Sequence, residues 1–196
     1  VAEAVALCGT DAASPKHLVE LRKVAAVLRC VDRIEIRGRD SAGVAVQVAF
    51  DDAAAFAAFR GAAEAAGLAP DIVVRTALPD LPAMSVSFNE GSADVRPTAT
   101  FVYKVAAEVG RLGDNVAELR RQITGDRLLR AALGAPTART VILGHTRWAS
   151  SGVISTPNCH PIDNATPPAG GREPAATRSA RIWVVLNGDV DNHIEL

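Results

Sequence analysis

Val141-Ile142-Leu143-Gly144-His145-Thr146-Arg147-Trp148-Ala149-Ser150 is an apolar run that ends on an arginine and a tryptophan. It reads as a buried strand, because consecutive aliphatic residues suit a strand covered on both faces. A buried strand end is a rigid place from which to present ligand-binding groups. Arg147 offers a planar fork of donors that matches a carboxylate with two parallel hydrogen bonds. Trp148 beside it supplies a flat apolar wall with a single donor. Taken alone, the pair reads more readily as a surface ion pair next to a core aromatic.

Upstream, Val44, Val46, Val48 and Phe50 alternate with Ala45, Gln47 and Ala49, which predicts a strand with one preferred buried face. Ser14-Pro15 opens a helix that carries Leu18, Leu21, Val24, Ala25 and Leu28 at helical spacing to about Arg29. Asp51 or Asp52 caps an alanine-rich helix that ends near Gly67, with Phe56 and Phe59 on its core face. Short strands are expected at Ile72–Thr76, Met84–Phe88 and Thr100–Tyr103, then a helical region from Val105 interrupted between Gly110 and Gly113. Asp114 is expected to cap a helix through Val116, Leu119 and Ile123, and a second short helix holds Leu128, Leu129 and Leu133. Downstream, Thr166-Pro167-Pro168 and Gly170-Gly171 signal a loop before a buried strand at Ile182–Leu186. Strands and helices without strict alternation predict a layered α+β fold.

Composition narrows the function classes. At 196 residues the chain is long enough for one domain with a real core, and 48% hydrophobic with 22% charged residues is a globular balance. A net charge of −1 gives no general attraction to nucleic acid or to an acidic membrane. The three cysteines (Cys8, Cys30, Cys159) follow no disulfide spacing, which points to a reducing compartment. With no apolar run long enough to span a membrane and no signal-peptide pattern, the expected location is cytoplasmic. His145, Cys159, His160 and His193 lack metal-ligand spacing, so no metal site is expected. From Val1 in place of an initiator methionine, and an end at Leu196 just past a motif, the chain is expected to be a segment of a longer protein.

Two further segments change the reading of Arg147 and Trp148. Arg37-Gly38-Arg39-Asp40-Ser41-Ala42-Gly43 precedes them; Asn158-Cys159-His160-Pro161 and Val184-Val185-Leu186-Asn187-Gly188-Asp189 follow. Together with Gly144-His145-Thr146-Arg147-Trp148, these blocks resemble the glutaminase domain of class II glutamine amidotransferases. The likeness is greatest to the glutamine–fructose-6-phosphate amidotransferase branch. That family reads Arg-Gly-Tyr-Asp-Ser-Ala-Gly, Gly-His-Thr-Arg-Trp-Ala-Thr-His-Gly, Asn-Ala-His-Pro and His-Asn-Gly in this order. Here Arg39 stands at the family's Tyr, and Ser150-Ser151 stand at its Thr-His.

The resemblance implies the four-layer α-β-β-α sandwich of the N-terminal-nucleophile hydrolases. It also implies hydrolysis of L-glutamine, with ammonia passed to a sugar-phosphate acceptor on a synthase domain, without a cofactor. Arg147 would grip the glutamine α-carboxylate, Trp148 would shape the pocket, and Ser150 and the Arg37 block would complete the binding side. Asn187, through its side-chain amide, and Gly188, through its backbone N–H, would form the oxyanion hole. The bland reading of Asn187-Gly188 is a type I′ turn. His145 and His160 are expected as structural hydrogen-bonders. The family's nucleophile is an N-terminal cysteine whose free amine takes the thiol proton. That residue is expected upstream of Val1; Cys8-Gly9 imitates the family's opening dipeptide and is the alternative, while Cys30 and Cys159 are expected as incidental. The acidic residue for the substrate ammonium would lie beyond Leu196. The stretch between Gly43 and Gly144 is far longer than in short members, so residues 51–138 are expected as a helical insertion. That insertion is read as a solvated excursion, or as an assembly surface for a homo-oligomer. Two other readings stand beside the enzyme: a degenerate, non-catalytic glutamine-binding or assembly domain, and another class II amidotransferase.

Overall fold

The valine alternation builds the centre of the molecule. In the computed structural model, which describes residues 2–9, 14–77, 83–106, 111–149, 152–163 and 182–188, strand β1 spans Ser41–Ala49. It pairs antiparallel with β3 (Thr98–Ala106) on one side and with β4 (Arg139–Arg147) on the other. A short strand, β2 (Val86–Asn89), adds outside β3, so the sheet order is β2-β3-β1-β4. A second, two-stranded sheet pairs β5 (Ile162–Asp163) with β6 (Trp183–Val184).

Both faces of β1 are covered, where the alternation suggested one. Val44, Val46 and Val48 are fully buried against the helices, and Ala45 is 3% exposed on the opposite face. There Ala45 and Val102 pack with Leu143 and with Trp183 of the small sheet. Helices therefore cover one face of the main sheet and the small sheet lies over the other, an α+β architecture. β4, expected as buried, is an edge strand of that sheet, and its Val141 is 61% exposed. Its apolar run divides between the two layers: Ile142 joins the helical core and Leu143 the smaller cluster. Gly144 faces α2 (Pro15–Ile34), where an added Cβ would come within 2.8 Å of Val27 Cγ1.

Local signals set the helix starts. Ser14 caps α2 by accepting from the His17 N–H, and the helix runs one turn past the periodic residues to Ile34. It packs beside the short α1 (Ala2–Cys8). Asp52 caps α3 (Ala53–Ala65) through the Ala55 N–H at 2.8 Å. Phe56 and Phe59 of α3 close on Phe50 and Phe88, with ring centroids 5.2–6.2 Å apart. No helix among the described residues is long and apolar enough to cross a membrane.

Long-range contacts override the local signal in three places. Ile72–Thr76, expected as a strand from its β-branched run, belongs to α4 (Ala69–Thr76), with Pro70 in its first turn. Only a helical spacing buries Ile72 and Arg75 together while Val73 and Val74 stay exposed. Arg75 from that face forms two hydrogen bonds to Asp126, at 2.9 and 2.6 Å. Val105 and Ala106, expected to begin a helix, continue β3 because β1 offers partners as far as Ser41 opposite Ala106. Asp114 begins α5 (Asp114–Gly125) but does not cap it. The cap comes from Glu35, in a 3-10 turn (Glu35–Arg37) after α2, whose buried carboxylate accepts from the N–H groups of Gly113 and Asn115. A carboxylate there also complements the positive end of the helix.

Residues 51–138 are no solvated excursion. They supply β2 and β3, and α6 (Arg127–Gly134) brings Leu128, Leu129 and Leu133 into the core at full burial. Each such leucine contributes roughly 1.5–3 kcal/mol of burial.

Candidate functional site

β1 and β4 run antiparallel with Ser41 opposite Arg147, which puts the Arg37–Gly43 block beside the end of the Gly144–Trp148 block. Asp40 makes the connection. Its N–H donates to the Arg147 carbonyl at 3.1 Å and its Oδ2 accepts from the Ala149 N–H at 2.6 Å. Gly38 lies under the same backbone, so a Cβ there would come within 2.9 Å of three atoms of Thr146 and Arg147. The turn is held in its own right by the Asn115 side chain, which donates to the Arg39 carbonyl at 2.9 Å.

The Asn158–Pro161 block crosses the sheet over Gly43. A Cβ on Gly43 would sit 2.0 Å from the His160 carbonyl oxygen and 3.3 Å from Cys159 Sγ. Gly43→Ala is therefore expected to displace this crossing segment and lower stability by about 1–3 kcal/mol, the usual range for overpacking. Urea unfolding checks it; an unchanged midpoint would show that the segment yields freely. Cys159 is buried beneath the crossing and donates to the Ala42 carbonyl at 3.1 Å. Burial pushes its thiol above the ordinary range, so it is held protonated.

The last block joins through two imidazoles. His160 Nδ1 accepts from the Leu186 N–H at 3.1 Å, and His145 Nε2 lies 2.9 Å from the Leu186 carbonyl oxygen. A carbonyl only accepts, so His145 carries its proton on Nε2. An N–H needs a lone pair, so His160 Nδ1 is bare. The His160 ring is consequently neutral. Burial first, and then the neighbouring positive charges, lower His160 to about 4, and burial likewise lowers His145.

Arg147, at the end of β4, is half-buried, and its Nη1 donates to the Val153 carbonyl at 3.3 Å. Its side chain lies on the sheet face of His145, two residues back along the strand, away from α2, which the alternate face meets through Gly144 and Val27. Trp148 is 66% exposed and stands as an open wall. Asn187 and Gly188 are exposed directly after the residue held by the two histidines. A type I′ turn requires positive φ at both central residues. Met84 is the one described non-glycine residue with positive φ, so Asn187-Gly188 does not form that turn. Gly188 has φ of 154°, in a region that residues with a Cβ avoid.

Other expected positions are not brought together. Arg37 is exposed at the end of the 3-10 turn, with no hydrogen bond or ion pair among the described residues. Cys8 ends α1, buried in the helical core, with the sheet between it and the face of Arg147. Cys30 is exposed on α2. Grooves of about 480 and 640 Å³ flank α1 on that same helical side, remote from Arg147. Ser150 and Ser151, the loop 166–172, Asp189 and His193 lie outside the described residues.

Two residues of the site region escaped the sequence reading. Asp40 was part of a quoted block but carries the joint between β1 and β4. Lys104 faces Gly43 across the sheet, 2% exposed, with no hydrogen-bond partner for Nζ among the described residues. Burial lowers its ammonium below the ordinary range, partly offset by Cys159 and Asp163. The visible signal was a lysine inside the otherwise apolar Phe101-Val102-Tyr103-Lys104-Val105 strand.

No potential metal cluster of His, Cys, Asp and Glu occurs among the described residues. The chain matches no family model, no curated protein and no solved structure.

Proposed function

We propose that this chain is the glutaminase part of a class II glutamine amidotransferase. It hydrolyses L-glutamine and supplies ammonia for amination of a sugar phosphate such as fructose 6-phosphate, in the cytoplasm. The four-layer sandwich of N-terminal-nucleophile hydrolases belongs to the same proposal, with the main sheet and β5–β6 as its two inner layers. The observation that supports it is the gathering of four separate blocks on one sheet face, through Asp40, Gly43, His145, His160 and Leu186. That face ends on Arg147 for the α-carboxylate, with Trp148 as an apolar wall and Asn187 and Gly188 as donors for the amide oxygen.

In this chemistry a thiol attacks the side-chain amide carbon, and the amide oxygen takes the negative charge. Ammonia then leaves, and water cleaves the resulting thioester to glutamate. None of the three cysteines suits the nucleophile: Cys8 lies across the sheet, Cys30 on an outer helix, and Cys159 is buried and held protonated. The proposal assigns the thiol to none of them. The same observation favours a second reading, in which residues 1–196 bind glutamine without hydrolysing it and serve assembly or regulation.

Titration calorimetry with L-glutamine separates these from no binding at all; residues 1–196 alone are expected to release no glutamate, and release by a protein that carries the nucleophilic thiol separates one from the other. Arg147→Ala removes a charge-assisted pair worth about 1.5–3 kcal/mol, so affinity for glutamine is expected to fall roughly 10- to 150-fold. Unchanged affinity in a folded Arg147→Ala protein would remove the carboxylate role.

A further inference from the structure

We propose that His145 and His160 are positioning residues, a two-imidazole clamp on the Leu186 backbone that fixes Asn187 and Gly188 over the sheet face of Arg147. The catalytic consequence rests on the glutaminase reading; the clamp itself does not. Leu186 gives its N–H to His160 and its carbonyl to His145, so a shift of this residue breaks two hydrogen bonds at once. Packing does not hold it, because Leu186 is 43% exposed. The clamp is anchored at both ends. His145 is in the β4 ladder opposite Gly43, and His160 belongs to the segment that crosses Gly43 at a distance no side chain would permit. The rings brace each other, with centroids 4.5 Å apart and planes at 47°.

The arrangement requires a neutral His160, whose Nδ1 must accept; His145 only donates. A proton on His160 Nδ1 would turn the acceptor into a donor facing the Leu186 N–H. Burial opposes that proton first, and then the positive groups His145 and Arg147 from β4 and Lys104 from β3; Asp163 and Cys159, on the crossing segment, act on Lys104 in the opposite sense. The clamp is therefore closed at neutral pH and opens as pH falls through about 4.

Amide hydrogen exchange at Leu186, measured in residues 1–196, tests this without any activity. Relative to its intrinsic rate, exchange is expected to quicken roughly tenfold or more in His160→Ala, the loss of one ordinary hydrogen bond. His160→Asn places an acceptor oxygen near the Nδ1 position and is expected to keep the protection. His145→Leu should quicken exchange, and His145→Gln, which retains a donor, should not. In the native chain the protection should fall with a midpoint near 4, and His160→Asn should abolish that midpoint. Unchanged protection in folded His160→Ala and His145→Leu overturns the clamp, as does a pH midpoint that survives in His160→Asn. Where glutamine is hydrolysed, His160→Ala should lower kcat about tenfold at nearly constant KM, with His160→Asn close to native. If a protein that carries the nucleophilic thiol hydrolyses no glutamine, the glutaminase reading fails and amide exchange still decides the clamp.

Discussion

Asn187→Ala is expected to lower kcat for glutamine hydrolysis roughly 10²–10³-fold and to leave KM nearly unchanged, the signature of a lost oxyanion-hole donor. The side-chain amide gains most once the amide oxygen of the substrate becomes negative, so transition-state binding suffers more than ground-state binding. Amination driven by free ammonia should survive, because ammonia bypasses the glutaminase site. The competing explanation for this dipeptide, a type I′ turn, is inconsistent with the backbone: Asn187 does not have positive φ. A turn residue would lower thermal stability on replacement and spare kcat. An Asn187→Ala protein that keeps full turnover and normal stability removes the oxyanion assignment, while the Arg147 prediction stands independently on affinity.

The largest expected stability effect lies on the other side of the sheet. Asp126 is 2% exposed and receives four hydrogen bonds: two from Arg75, one from the Tyr103 hydroxyl at 2.6 Å, and one from the Leu129 N–H at 2.9 Å. One carboxylate thus ties α4 to β3 and caps α6. Burial, and then the Asp126 charge, push the Tyr103 hydroxyl well above its ordinary range, so it remains a donor. Asp126→Ala leaves the buried Arg75 guanidinium only the exposed Asp71, 3.8 Å away, as a counter-charge among the described residues, which costs about 3–5 kcal/mol. Chemical denaturation measures it. Replacing the pair together, Arg75→Met with Asp126→Leu, should cost clearly less than Asp126→Ala alone, because no orphaned charge is left behind. Equal costs for the single and double variants would show that the pair is not coupled. Because the network sits on the helical face, any variant that folds should keep its affinity for glutamine.

Features whose causes lie within a few residues were readable from the chain alone. Ser14 and Asp52 start their helices where a short polar side chain can reach an N–H three residues on. The alternation of Val44, Val46 and Val48 places the central strand, and Phe56 and Phe59 recur at the spacing that faces the core. The four blocks and their order were equally legible, while the roles proposed for Arg147 and Asn187 come from the family resemblance. Tertiary structure decided what depended on partners far along the chain. Ile72-Val73-Val74 is helical because Arg75 must reach Asp126, and β3 runs through Val105 because β1 extends opposite it. The start of α5 takes its cap from Glu35, against the local signal of Asp114. The joint at Asp40 and the hold of His145 and His160 on Leu186 likewise appear only once β1, β4 and the crossing segment are stacked. Local preferences are worth a few tenths of a kcal/mol to about one kcal/mol per residue. A buried ion pair left half-made costs several, so where the two conflict the distant contact sets the conformation.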